Sequence, residues 1–348
     1  MYTDYYGLSA RPFQLTPDAR FWFDSKTHKK ALAYLGYGIA QGEGFITITG
    51  EIGAGKSTLV AHLLATIDRE RLNAISLVST QVEGDDMLRL TAIGLGIPTT
   101  GVPKAQLLDR IEQQMSEEAD RGKRTLLIVD EAQNLPTSAL EELRMLSNYT
   151  RQGRALVQIF LLGQPEFRDR LATDAGLEQL RQRVIAAHHL EAMEPVEIEP
   201  YVVHRLAIAG WNGRPSFDAA AYAAMHRHSG GIPRRLNQLA NRILLHGAIE
   251  QLDRIGAAAV ETVIADMAAD KPHISDRVHT LRTAATPAFP SAAPATPAEP
   301  VRDLALERRV AALEAKIDEQ DIVLRRVLTL LVEWVENSDA PGYRSNAA

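Results

Sequence analysis

Four short apolar runs punctuate the first half of the chain: FITIT just ahead of residue 50, NAISLVS at 73 to 79, TLLIVD at 125 to 130 and LVQIFLLG at 156 to 163. Segments of helical length separate them. Such runs predict strands buried on both faces of a parallel sheet, with crossover helices above and below. Beyond about residue 190 the period changes. EPVEIEPYVVHRLAIAG, FDAAAYAAMHRHSG and PRRLNQLANRILLHGAIE predict three amphipathic helices, separated by WNGRPS and GIP, that form a small lid. From 271 to 300 the chain is rich in Pro, Ala, Ser and Thr and reads as a flexible linker that cannot bury enough apolar surface to order itself. Leu306, Val310, Leu313, Ile317, Leu324, Val327, Leu331 and Trp334 then alternate at four and three residues once Gln320 is accepted at a core position. That pattern predicts a coiled coil, with a single amphipathic helix packed on its own domain as the alternative. The expected division is therefore 1–44 packed on the nucleotide-binding core, 45–190 the α/β core, 191–270 the helical lid, 271–300 the linker, 301–336 the coiled-coil helix and 337–348 a disordered tail.

Composition narrows the function without naming it. Hydrophobic residues at 45% and charged residues at 24% of 348 are ordinary globular values. A formal net charge of −6 disfavours a strongly basic nucleic-acid binder, although a local patch such as HKK at 28 to 30, RGKR at 121 to 124 or PRR at 233 to 235 would still meet phosphates. The sequence has no cysteine, so disulfides, cysteine-ligated zinc and thiol catalysis are excluded. MYTDYYGLSARPFQLTP lacks the basic and apolar regions of a signal peptide. VLTLLVEWV, about half a membrane span and interrupted by Glu333, is too short to cross a bilayer.

Chemistry enters at GEIGAGKS, residues 50 to 57, directly after the first apolar run. Gly50, Gly53 and Gly55 allow a loop whose N–H groups turn inward around phosphate oxygens, with Glu51, Ile52 and Ala54 completing the backbone. Lys56 is placed to reach the β- and γ-phosphates, and Ser57 to put its hydroxyl on Mg²⁺. The helix opening at Ser57 and Thr58 points its positive end at the same anion. A hydrolytic site needs more than this clamp. TLLIVDEAQNL ends a strand in Asp130, expected to hold Mg²⁺ through water, and Glu131, expected to orient the water that attacks the γ-phosphate. The strand order is expected to set these acids beside the loop. Gln164, closing the next strand, is a candidate contact for the γ-phosphate or that water. Arginines that would stabilise the transferring phosphoryl group are Arg181 and Arg183 in LRQRV, and Arg234 ahead of Arg235 in GIPRR, acting in their own subunit or on a neighbour. His188 and His189 fall on opposite faces and form no metal site with carboxylates; His226 and His228 are expected to be exposed.

The order of these motifs resembles an AAA+ ATPase, and YYGLSARPFQLTPDARFWFDSKTHKKALAYLGYGIAQGEGFITITGEIGAGKSTL is similar to the start of the ExeA/GspA family of secretion-associated ATPases, most of all to members encoded beside exosortase and exopolysaccharide loci. The similarity covers about residues 1 to 270. It implies a P-loop NTPase sheet with a C-terminal lid, ATP and Mg²⁺ as ligands, Lys56 and Ser57 as nucleotide and metal ligands, Asp130 and Glu131 as the acidic pair, Gln164 as first sensor and Arg234 as second. LRQRV would hold the arginine finger, with Arg181 and Arg183 both open. Rings or filaments are implied, in which one subunit's arginine completes its neighbour's site. Better-known members continue into a transmembrane helix and a periplasmic peptidoglycan-binding domain. Here the linker and heptads stand in that place, so direct contact with the cell wall is not expected.

The leading expectation is thus a cytoplasmic, homo-oligomeric ATPase, peripheral at the inner membrane, that assembles or regulates an envelope export machine through an inner-membrane partner. A DNA-associated regulator of the transposition or replication type, or a nucleotide-dependent scaffold presenting its coiled coil, is the alternative. If the heptads oligomerise or dock the chain, deleting 301–348 removes the large assembly seen by size-exclusion chromatography with light scattering; an unchanged mass contradicts that role.

Overall fold

A computed structural model of the chain describes residues 2–78 and 82–269; the expected linker, coiled coil and tail lie outside the described residues. The runs predicted as strands form β1 (Phe45–Gly50), β2 (Leu72–Val78), β3 (Arg124–Asp130) and, after a small antiparallel pair of β4 (Thr150–Arg151) and β5 (Arg154–Ala155), β6 (Val157–Gly163). β7 (Val184–Leu190) completes a parallel sheet in the order β2-β3-β6-β1-β7. Side chains two apart share a face. Ile46, Ile48, Leu126, Ile128, Phe160 and Leu162 therefore enter one core, while Phe45, Leu127, Val129, Ile159 and Leu161 enter the other. Both faces being dry explains the unbroken apolar runs.

The helices follow from these faces. α1 (Tyr2–Tyr6) belongs to the lid, and α2 (Lys26–Gln41) and α3 (Lys56–Thr66) cover the face of Ile46 with Ala31, Leu35, Leu59 and Leu63. α4 (Gly84–Gly94), α5 (Lys104–Asp120), α6 (Thr137–Leu146), α7 (Pro165–Thr173) and the single turn α8 (Glu178–Arg181) include the elements that cover the other. The lid is α9 (Pro195–Ile208), α10 (Ala219–Ser229), α11 (Pro233–Ile249) and α12 (Ala257–Ala269), clasped by a short pairing of β8 (Ser216–Phe217) with β9 (Arg254–Ile255). Four lid helices therefore stand among the described residues where the pattern indicated three.

The N-terminal segment corrects the expectation that residues 1–44 pack on the nucleotide-binding core. Of its two α-helices, only α2 does so. Tyr6, Leu8 and Phe13 are buried in the lid's own core beside Val202, Leu206 and Leu236. The phenol of Tyr2 donates to Asn241 Oδ1 at 2.8 Å, and Asn241 Nδ2 donates to the carbonyl of Phe13 at 2.7 Å. Arg205, only 6% exposed, donates from Nε to the carbonyl of Pro12 at 2.6 Å, and its guanidinium lies 4.8 Å from the centre of the Phe21 ring. This strap gives the small lid the apolar area its own helices lack.

α2 opens on Ser25, whose Oγ accepts the N–H of His28 at 3.3 Å. HKK is consequently no phosphate-binding patch at its first residue, because His28 is 6% exposed and desolvation pushes its pKa down to about 4. His226, expected in solvent, is half-buried, with Nε2 3.2 Å from the carbonyl of Met193.

These burials set two expectations for stability. Phe13→Ala empties a fully buried site in the lid core and costs about 3–5 kcal/mol by urea denaturation at pH 7. His28 has a folded pKa below its unfolded value, so its contribution is complete above pH 6.5 and is lost as pH falls toward 4, where the unfolded chain takes up a proton that the folded chain refuses. Between pH 7 and about pH 4.5 that loss is about 2–3 kcal/mol. Paired denaturation curves of wild type and His28→Gln should show the variant losing less stability by that margin over the same interval.

Candidate active site

Doubly wound sheets leave room for a ligand beyond the carboxyl ends of their strands. In this chain the loop from β1 to α3 closes that end. Gly53 and Gly55 have φ of 86° and 102°, a left-handed backbone that side chains with a Cβ resist. Space is equally restrictive. A Cβ on Gly53 would lie 2.4 Å from Arg234 Cβ, on Gly55 2.5 Å from His28 Nε2, and on Gly50 2.9 Å from Leu190 Cβ. The bare backbone is therefore a cradle that only glycine leaves open, and it fits the phosphates of a nucleotide. Lys56 is buried at its rim, with Nζ donating to the carbonyls of Gly50 at 2.7 Å and Glu51 at 3.2 Å. Desolvation lowers its pKa, while the charges of Glu131 and Asp130 oppose the shift.

The acids come to this loop even though β6 separates their strand from β1, so the two motifs are not on adjacent strands. Ser57 Oγ donates to Asp130 Oδ2 at 3.2 Å. Asp130 Oδ1 in turn accepts the N–H of Glu131 at 2.8 Å. These two oxygen donors, one hydroxyl and one carboxylate beside a phosphate cradle, match what Mg²⁺ takes from a protein when phosphates supply the remainder. Glu131 itself stands at φ 56° and ψ 40°, an uncommon left-handed conformation for a residue with a side chain. Its Oε2 accepts from Gln133 Nε2 at 2.5 Å and from Gln164 Nε2 at 3.2 Å. Gln164 also donates its backbone N–H to Gln133 Oε1 at 3.0 Å. Two amides thus fix one oxygen of the carboxylate. Fixed in this way, the carboxylate can orient a water and accept its proton.

Arg234 lines the same cleft from the lid, and its backbone N–H donates to the carbonyl of Gly53 at 3.1 Å. Ile52 and Thr58 line it too. Arg181 and Arg183 do not. Arg181 pairs with Glu178 and donates to the carbonyl of Ala172 at 2.8 Å; Arg183 donates to Ser147 Oγ at 3.1 Å. His188 and His189 do point to opposite sides of β7. The first has Nε2 3.1 Å from the carbonyl of Thr27, the second has Nδ1 3.0 Å from Thr49 Oγ1, and burial lowers both pKa values.

Sequence reasoning misses Gln133, His28 and the whole strap side of the cleft. Gln133 is visible as the last residue of DEAQ, but nothing in the pattern gives it a task. Leu15, Pro17, Phe21 and Trp22 line the cleft as well, with Tyr201 and Asn237 from the lid. The Trp22 ring stacks on His62 at 4.3 Å and 6°. This part of the lining is aromatic, the character a nucleobase needs.

Residues 39–171 match the family model described as AAA domain. The chain is 37% identical over 246 residues to General secretion pathway protein A of Aeromonas hydrophila, an alignment covering 70% of this chain and 44% of that protein. The chain therefore spans less than half the length of the relative it matches. Among solved structures, the Aeropyrum pernix ORC2 protein in ADPNP and ADP complexes superposes with a TM-score of 0.55 at 14% identity, over 74% of this chain and 72% of that one. Cdc6p from Pyrobaculum aerophilum gives 0.52 at 15% identity, over 72% and 71%. At such identities the two structures speak for the fold alone. Taken with the glycine cradle, the Ser57–Asp130 pair and the helical lid, the alignment places this chain among the AAA+ ATPases of the ExeA/GspA family.

Proposed function

We propose that the chain binds and hydrolyses ATP and uses the cycle to assemble or regulate an envelope export system. The observation that carries the hydrolytic half is the Glu131 carboxylate, held on one oxygen by Gln133 and Gln164 beside the Ser57–Asp130 pair. In this reading the loop from Gly50 to Gly55 binds the phosphates, Lys56 leaves its carbonyl partners for phosphate oxygens, and Arg234 adds charge from the lid. Ser57 and Asp130 would hold Mg²⁺, which supplies neutralisation of phosphate charge when bound. Glu131 positions the attacking water and takes its proton. Gln164 contacts Glu131 directly, so its sensing acts through the carboxylate.

Export is supported by the similarity to General secretion pathway protein A, and the exopolysaccharide or surface-protein cargo by the resemblance of the N-terminal segment alone. A peripheral position at the inner membrane belongs to the same reading; among the described residues no helix is long and apolar enough to cross a membrane. Oligomerisation into a ring or filament would give Arg181 or Arg183 a neighbour's phosphates to meet, since neither lines the cleft of its own chain. Arg181 then has to leave Glu178, an exposed and weak pairing, whereas Arg183 has to leave Ser147. Nucleic acid fits less well: His28 is buried and Arg234 faces the cleft, which removes one residue each from two of the three basic patches.

Glu131→Gln keeps the shape of the side chain and removes its basicity. Steady-state phosphate release should fall by about 100-fold or more, with ATP affinity retained. Turnover unchanged in that variant would sink the assignment.

A further inference from the structure

His28 belongs to a run with two lysines that reads as surface, yet its ring ends against the phosphate loop. The imidazole Nε2 occupies the space a Cβ on Gly55 would need, 2.5 Å from that position, so the ring lies against the loop backbone. On its other side Nδ1 is 2.6 Å from Ser25 Oγ, and the Trp22 ring packs edge-on with its centre 5.1 Å away. Ser25 Oγ already accepts the backbone N–H of His28, which leaves its own proton to give to Nδ1. The imidazole is thereby held in one orientation, at a loop whose own glycines give it freedom to collapse.

We propose that His28 is a positioning residue for nucleotide binding: with Nε2 set against Gly55, the ring holds the Ala54–Gly55 peptides in the shape that receives phosphate, with Ser25 orienting the ring. The proposal rests on the ATP-binding reading above. His28 touches no reacting atom, and its effect belongs to ATP affinity and KM, with kcat at saturation little changed. A loop held in its binding shape loses less of the binding free energy to ordering.

The test uses the full chain, binding of a fluorescent ribose-labelled ATP with Mg²⁺, and steady-state phosphate release. A glutamine reaches with its Nε2 to about where the histidine Nε2 stands, whereas an asparagine amide reaches only as far as Nδ1. His28→Gln should bind within about threefold of wild type, and His28→Asn and His28→Leu roughly tenfold more weakly. Ser25→Ala should fall between them. Rescue by reach, rather than by polarity alone, is what a purely structural role does not produce, and the Gln–Asn comparison stands even where His28→Leu fails to fold. Equal affinity in Gln and Asn variants, or a fall in kcat with KM unchanged, overturns the proposal. Failure of the wild type itself to bind the probe overturns the ATP reading instead.

Discussion

The backbone of the phosphate loop has to stay bare, and the rest of the molecule is arranged around that requirement. Three glycines keep it so, and a different element presses on each of them. Leu190 at the end of β7 meets Gly50, Arg234 at the start of α11 meets Gly53, and His28 in the first turn of α2 meets Gly55. Residues far apart in the chain therefore converge on one short loop. Glycine leaves that loop few side chains with which to hold itself, so its shape is set from outside.

The acidic end of β3 solves the opposite problem, which is to hold a carboxylate in an unfavourable backbone. A left-handed non-glycine residue costs about 1–3 kcal/mol. Glu131 offsets that strain with three contacts: its N–H to Asp130, and two amide donors on Oε2. Hydrogen bonds to a charged group contribute about 1.5–3 kcal/mol each, enough to balance it. The strand order matters here. Because β6 lies between β1 and β3, Gln164 at its end reaches the carboxylate from the side facing the loop, and Gln133 ties the two strand ends together.

Legibility in the sequence follows burial. β1, β3 and β6 stand out because nearly every residue in them is buried, and the motif residues sit where those strands stop. β7 carries no such signal, since two of its seven residues are alanines and two are histidines. α12 gives little signal because only Val260 and Val263 are buried in a run of small residues. The strap has neither period, being anchored residue by residue through Tyr6, Phe13 and the carbonyl of Pro12. His28 misleads for a related reason. Beside lysines it looks like part of a charged face, and only the tertiary approach of the phosphate loop makes it a buried group.

The same convergence explains how the lid can respond to what the loop holds. Phe21, under the Arg205 guanidinium, and Arg234 belong to the lid side of the cleft, whereas Trp22, stacked on His62 of α3, lies with the loop. Between the two sides run single polar contacts. The N–H of Arg234 donates to Gly53, the N–H of Lys26 donates to Glu197 Oε1 at 2.7 Å, and His204 Nε2 lies 2.7 Å from the carbonyl of Trp22. Lys26 also pairs with Glu194 in the open. Hydrogen bonds of this kind contribute about 0.5–1.5 kcal/mol each and exposed ion pairs less, so the joint is weak beside the dry cores it connects. A nucleotide reaching from the aromatic lining to the glycine cradle would add its contacts across that joint. Under the proposed function, loss of the terminal phosphate would subtract any contacts from Lys56 and Arg234, and a joint this weak is one that such a change would shift.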